Sequence, residues 1–150
     1  MKQKREWLCI VNIVYATSMF GLQEITAPIS IGDLIDKITI LQVKLEKITD
    51  PEKLQHIAHE LELLSTTLTH IPQSPELNEC MQQLHIINRT LWDIENAIRA
   101  KEAAQIFDTE FIELARSVYL NNGQRHAIKR TINMLTGSEI IEEKQYTKYQ

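Results

Sequence analysis

The sequence predicts an all-α fold, and three observations carry that expectation. Four glycines and four prolines in 150 residues leave few sites for the tight turns that an all-β chain needs. Beyond residue 30, apolar residues recur at alternating steps of three and four, the spacing that keeps one stripe on a helix. Ser, Asp and Pro stand where those stripes begin, which is the chemistry of helix starts.

Taken in order, Ser30-Ile31-Gly32-Asp33 pairs a hydroxyl cap with an acid three residues on. Leu34, Ile38, Leu41, Leu45 and Ile48 then carry the first seam. Asp50-Pro51 stops that helix and starts the next, with Asp as cap and Pro at the first helical position, where its missing N–H costs nothing. Leu54, Ile57, Leu61, Leu64, Leu68 and Ile71 repeat the alternation, and so short a joint makes the two helices antiparallel neighbours.

Pro72 and Pro75 bracket the cap Ser74 of a third helix bearing Leu77, Leu84, Ile87, Leu91, Ile94 and Ile98. That helix frays near Gln105. Asp108 caps a fourth, with Phe111, Leu114, Ala115 and Val118. Asn121-Asn122-Gly123 reads as a break, followed by a fifth helix with Ile128, Ile132 and Leu135, closed by Gly137. The tail, "SEIIEEKQYTKYQ", docks through Ile140, Ile141 and Tyr146 or stays loose.

The expected architecture is therefore an antiparallel helical hairpin, a long third helix and two shorter C-terminal helices, packed as a helical bundle. No period of 20 to 50 residues repeats, which argues against a solenoid. Residues 19–150 read as a single helical domain, a length that buries a core without staples. The seams are narrow and leave room for self-association, so a homo-oligomer or a protein partner is expected.

Residues 1–18 read as an N-terminal extension. "MKQKREWLCIVNIVYATSMF" has a basic start and an apolar run from Trp7 to Phe20. Three readings stay open: translation beginning at Met19, a signal- or anchor-like segment, or an ordered strand or helix. The run is interrupted by Asn12, lacks an Ala-x-Ala cleavage site, and at roughly 14 residues is too short for a stable membrane span. The expected location is cytoplasmic. Cys9 and Cys80 show no metal or redox spacing, in keeping with a reducing compartment.

A net charge of -4 disfavours nucleic acid as a partner held by bulk charge. Positive charge is nonetheless concentrated locally. Between Leu114 and Ser138 stand Arg116, Arg125, Lys129 and Arg130 with no Asp or Glu among them. Arg125 lies three residues before Ile128 and seven before Ile132, so it extends the apolar stripe, and after Gly123 it falls in what reads as the first turn of a helix. A cation at that positive dipole end is unfavourable unless an anion is present, and free N–H groups there would complete an anion site. Arg99, Arg116, Arg125 and Lys129 are the candidate anion-binding residues. The opposing reading pairs Arg125 with a carboxylate of the third helix, such as Glu95 or Glu102, and leaves Lys129 and Arg130 as a solvated face.

In "WDIENAIRAKE", Glu95, Arg99 and Glu102 form one charged stripe, and Lys101 falls on the buried side of the seam. In "GDLIDKITIL", Asp33 suits the cap and pairs with Lys37 four residues on, whereas Asp36 has neither role. Asp36 and Glu95 are thus the candidate acid/base residues, should there be chemistry. His56, His59 and Glu60 lack the further ligands a zinc site needs, so no metal is expected. No Gly-rich phosphate loop, Gly-x-Ser-x-Gly elbow or Cys/His cluster is present, and no cofactor is expected.

Three stretches together carry a resemblance: "ISIGDLIDKITILQVKLEKITDPEKL", "LWDIENAIRAKEAAQIFDTEFIELARSVYLNNGQRHAIKRTIN" and "GSEIIEEKQY". They resemble, in the same order and over about residues 24–146, a bacterial family of small proteins called domain of unknown function 6165. The matching positions are Asp36, Lys37, Glu95, Arg99, Lys101, Glu102, Arg116, Tyr119, Asn122, Arg125, Lys129 and Glu143. Gly123 departs from the pattern, which more often carries an acid there, and an acid at that place would itself pair with Arg125. The resemblance implies the fold and the weight of these segments, and it implies no activity.

Two functions remain. The first is a non-enzymatic module for protein–protein contact, favoured by the seams and by the lack of a catalytic constellation, so the sequence weighs against an enzyme. The alternative is a small enzyme or binding protein for an anionic metabolite (a nucleotide sugar, phosphate ester or dicarboxylate) held by the Arg/Lys cluster.

Overall fold

The computed structural model of the chain describes residues 25–145 and residue 147. The three readings of residues 1–18, and the docking of Tyr146, therefore lie outside the described residues. Four helices follow in order: α1 (Ile31–Lys47), α2 (Pro51–Leu68), α3 (Pro75–Ala103) and α4 (Thr109–Thr136). The all-α expectation holds. Each helix starts on the cap that its sequence offers, with Ser30, Asp50, Ser74 and Asp108 side chains accepting from the first-turn N–H groups of Asp33, Glu52, Leu77 and Phe111. Gly137 closes α4 in the left-handed region, at φ 64°.

The expected fourth and fifth helices are one. Asn121-Asn122-Gly123 does not break α4, although Asn and Gly together cost a helix interior roughly 2 kcal/mol relative to alanine. The asparagines do not cap. Asn121 Nδ2 donates back to the Ser117 carbonyl at 2.8 Å, and Asn122 Oδ1 accepts from Arg125 Nη1 at 3.4 Å, so both side chains bond within the helix. Continuous packing of α4 against α3 supplies what the local propensity lacks. This removes the helix N-terminus, and with it the free N–H groups, on which an anion site after Gly123 depended.

Of the four helices, α1 is the central one, in contact with α2, α3 and α4. It runs antiparallel to α2, to which residues 48–50 join it, and antiparallel to α4, because Gly32 meets Asn133 while Asp36 meets Arg125. It runs in the same sense as α3, because Asp36 meets Asn88 and Lys47 meets Asp93. Enclosure on several sides explains why α1 buries more than its seam: Ile35, Asp36, Thr39 and Val43 join Leu34, Ile38 and Leu41, while Leu45 stays exposed. The main cluster joins Ile35 to Leu77, Cys80, Leu84 and Ile132.

One close approach sets the α1–α4 crossing. Gly32 N–H donates to Asn133 Oδ1 at 2.6 Å, and a Cβ at Gly32 would sit 2.6 Å from the Lys129 carbonyl oxygen. Only glycine lets the two backbones meet there.

Burial also runs out toward the α3–α4 turn. The last buried residue of α3 is Leu91 and the first of α4 is Lys129, so the hairpin between them is only partly covered. Along α4, apolar residues occupy two faces. Phe111, Leu114, Val118, Ile128 and Ile132 turn inward, while Ile112, Tyr119, Leu120 and Met134 lie within an arc of about 100° on the far side, at 3.6 residues per turn, and are exposed.

Candidate functional site

Buried polar residues gather where α1, α3 and α4 meet. Asp36 is the centre. Its Oδ1 accepts from Arg125 Nε at 2.8 Å and from Asn88 Nδ2 at 2.9 Å, and its Oδ2 accepts from Arg125 Nη2 at 2.5 Å. The two Arg125 bonds form the bidentate fork that guanidinium and carboxylate favour. Asn88 Nδ2 also donates to Thr39 Oγ1 at 2.9 Å, and Thr39 donates in turn to the Asp36 carbonyl at 2.9 Å. The bonds with Asp36 hold the Arg125 guanidinium above its ordinary range, against the pull of burial.

A second node lies one helical turn away. Lys129 Nζ bridges Asp33 Oδ1 at 2.5 Å and Glu142 Oε2 at 2.6 Å. Burial alone would lower the Lys129 ammonium, yet the bonds with Asp33 and Glu142 raise it. Glu142 is held down to about 2 by Lys129, with Lys144 at 3.2 Å adding to the effect. Burial opposes ionisation of Asp33, but the bonds from Lys129 and Ser30 carry it below the usual carboxylate range. Glu143 takes Arg130 at 2.7 Å. The tail thus folds back along α4 through Glu142 and Glu143, with Ile140 and Ile141 only partly covered, each 38% exposed. His126 Nδ1 is buried without a hydrogen-bond partner among the described residues, 3.7 Å from Glu142 Oε2.

These bonds correct several sequence expectations. The partner of Arg125 is Asp36 of α1 and neither Glu95 nor Glu102, because α1 and not a turn of α3 fills the groove beside it. Lys129 is buried and bridged, not part of a solvated face. Asp33 serves the Ser30 cap and Lys129, so Lys37 turns to Glu60 instead. Other expectations hold. Arg99 pairs with Glu95 at 2.6 Å along the charged stripe, and Lys101 is mostly buried, held by Asp108 at 3.0 Å and Glu110 at 2.6 Å.

A cleft of about 440 Å³ opens beside this network, lined by Ile40 of α1, by Asn88, Leu91, Trp92, Glu95, Asn96 and Arg99 of α3, and by Asn122 and Arg125 of α4. A smaller and strongly charged cavity, about 320 Å³, borders Asp33, Asp36, Arg125, His126, Lys129 and Lys144. Of the four candidate anion-binding residues, Arg99 and Arg125 share the first and Arg125 and Lys129 share the second. Arg116 is exposed on α4, borders neither, and has no ion pair among the described residues. Of the acid/base candidates, Asp36 is locked in the fork with Arg125, and Glu95 stands at the rim of the larger cleft.

Four residues of the site were missed in the sequence: Thr39, Asn88, Asn133 and Trp92. The signal for Asn88 was present, since it falls four residues after Leu84 and three before Leu91, inside the α3 seam. A polar residue at such a position needs a partner across the core.

Fold and site together define an all-helical bundle protein whose central helix is pinned to α4 by buried ion pairs. No helix of the described residues is long and apolar enough to cross a membrane. The profile of the family described as "Family of unknown function (DUF6165)" matches residues 25–149, and the chain belongs to that family. Nothing among curated proteins and no solved structure matches it.

Proposed function

We propose that this protein is a non-enzymatic module for protein–protein contact, and that its partner is a second copy of the same chain seated on the outer face of α4. The observation that carries the reading is the outer face of α4, where Ile112, Leu120 and Met134 stand exposed over about 33 Å, with Arg116 and Arg130 between them. Ile112 is 56% exposed and Met134 65%. A run of large exposed apolar residues on one face marks an interaction surface.

That face is self-complementary in size. Gly123 and Ala127 lie at its middle, and a Cβ at Gly123 would meet nothing within 4 Å. An antiparallel two-fold centred on Gly123 sets Ile112 against Met134 of the second copy and Tyr119 against its Ala127, large over small. It also brings Arg116, which lacks a carboxylate of its own among the described residues, toward Arg130 and Glu143 of that copy. Glu143 is 71% exposed and holds one cation already, with room for another.

The reading of Arg99, Arg116, Arg125 and Lys129 as one anion clamp has less support, since no single cavity gathers all four. Three of the four already have carboxylate partners within the chain.

Sedimentation of the full chain tests the proposal. The expected mass is twice the 17.4 kDa of one chain. Gly123→Leu and Met134→Glu are expected to give monomers of unchanged helicity, the former because it fills the space the second helix would occupy. A wild-type chain that stays monomeric at every concentration, or a dimer indifferent to both substitutions, overturns it.

A further inference from the structure

We infer that the cleft between α1, α3 and α4 is a small-molecule site whose ligand is a zwitterion with an apolar body, in chemical class a free α-amino acid with an aromatic or aliphatic side chain. This goes beyond the contact reading. The cleft lies on the side of α4 turned toward α1, about half a turn of the helix from the outer face.

The argument starts at Asn88, which is 1% exposed and lines the cleft. A carboxylate only accepts, so the Asn88 amide must turn its NH₂ to Asp36, and its two hydrogens serve Asp36 and Thr39. Its carbonyl Oδ1 then faces away from that pair and has no donor among the described residues. That oxygen keeps an opening to solvent, and since Asn88 lines the cleft, the cleft is where a donor can reach it.

Arg125 adds the opposite character. Nε and Nη2 are held by Asp36, while Nη1 has only a long 3.4 Å contact with Asn122 Oδ1. Its outer edge is free to take a carboxylate oxygen. At the rim, Glu95 offers a second acceptor and Arg99 a second donor. Trp92, Leu91 and Ile40 give the cleft its apolar lining.

Charge balance selects among ligands. Glu95 offsets Arg99 and Asp36 offsets Arg125, so the cleft has no surplus of positive charge to hold a phosphate dianion. What it presents is a donor pole, an acceptor pole and an apolar lining. An α-amino acid matches all three, with its carboxylate on Arg125, its ammonium on Asn88 Oδ1 and Glu95, and its side chain over Trp92. The volume, about 440 Å³, is within the ordinary range of ligand pockets.

The test uses the full chain carrying Trp7→Phe, so that Trp92 alone reports by fluorescence, together with the NMR signal of the Asn88 side-chain amide. Phenylalanine and leucine are expected to shift both signals saturably. Phenethylamine and phenylpropanoate, each lacking one charge, are expected to bind at least tenfold more weakly, and inorganic phosphate not to bind. Glu95→Gln, a surface change that leaves the fold intact, is expected to weaken phenylalanine by about tenfold. Saturation by phosphate in place of the amino acids overturns the assignment of class. The absence of any saturable shift from either amino acid overturns the site itself. Either result leaves the oligomer measurement untouched.

Discussion

Arg125 and Asp36, 89 residues apart in the chain, meet through two bonds at 2.8 and 2.5 Å across the junction of α4 with α1. The Asp36 side chain is 9% exposed and that of Arg125 32%. Removing one partner of such a pair strands the other. Arg125→Ala leaves the Asp36 carboxylate buried with the Asn88 amide as its remaining side-chain hydrogen-bond donor, and should cost about 3 kcal/mol, at the lower end for buried pairs because the guanidinium is partly solvated and the Lys129 charge lies nearby. In a chain of this size that lowers the melting midpoint by roughly 6 to 12 °C. Arg99→Ala breaks an exposed pair and should change stability by less than about 1 kcal/mol. Equal losses from the two substitutions would show that the fork is no more than surface pairing.

The Gly32 contact makes a sharper claim about geometry. A methyl group there would press on the Lys129 carbonyl, which is backbone and cannot rotate aside, and on Asn133 Oδ1 at 2.9 Å. Gly32→Ala should therefore destabilise by about 1 to 3 kcal/mol, even though alanine is the better helix former. Gly123→Ala, also mid-helix but open to solvent, should stabilise the monomer by about 0.5 to 1 kcal/mol. Urea unfolding of the two variants should move the midpoint in opposite directions.

The turn between α3 and α4 holds a small reserve of strain. Gln105 adopts φ 56° so that Ile106 N–H can reach the Lys101 carbonyl at 3.0 Å, which closes α3. Glycine takes that conformation freely, whereas a residue with a Cβ pays roughly 1 kcal/mol. Gln105→Gly should raise stability by about that amount, minus what the lost Gln105 Nε2 bond to the Glu102 carbonyl contributes. A thermal melt in which this variant is less stable than wild type would place the strain elsewhere.

What could be read from the sequence and what could not differ in physical kind. Caps and seams are local, and Ser30, Asp50, Ser74, Asp108 and Gly137 each mark a helix end because their chemistry acts within four residues. The Asn121-Asn122-Gly123 break was misjudged because propensity, also local, is outweighed there by packing along α3. The site lay further out of reach. Asp36 stood out as an acid without a cap or pairing role, and Arg125 as a cation extending the apolar stripe, yet nothing in spacing says that α1 lies antiparallel to α4 and so joins these two. Their match, like that of Lys129 with Asp33, is fixed by the crossing at Gly32, which depends on a contact between distant backbones.

The tail gives a prediction with a defined pH window. Glu142 titrates near 2 in the folded protein against an ordinary 4.5, chiefly through its bond with Lys129. A carboxylate whose folded value is depressed stabilises the fold fully above its ordinary value, and loses that contribution as pH falls toward the folded one. The sign on the other partner is opposite: Lys129 is raised above 10.5, so its contribution is present at and below that pH and is lost only on going higher. Between pH 4.5 and 2, residues 139–145 should therefore release from α4 as protonation of Glu142 frees Lys129 Nζ from one of its two carboxylates, while Asp33 retains the other. Glu142→Gln should remove this step and leave a tail that is already loosened at neutral pH. Amide exchange of residues 139–145 measured down the acid limb checks it directly, and protection unchanged by Glu142→Gln at neutral pH would mean that the tail is held by something other than the Lys129 bridge.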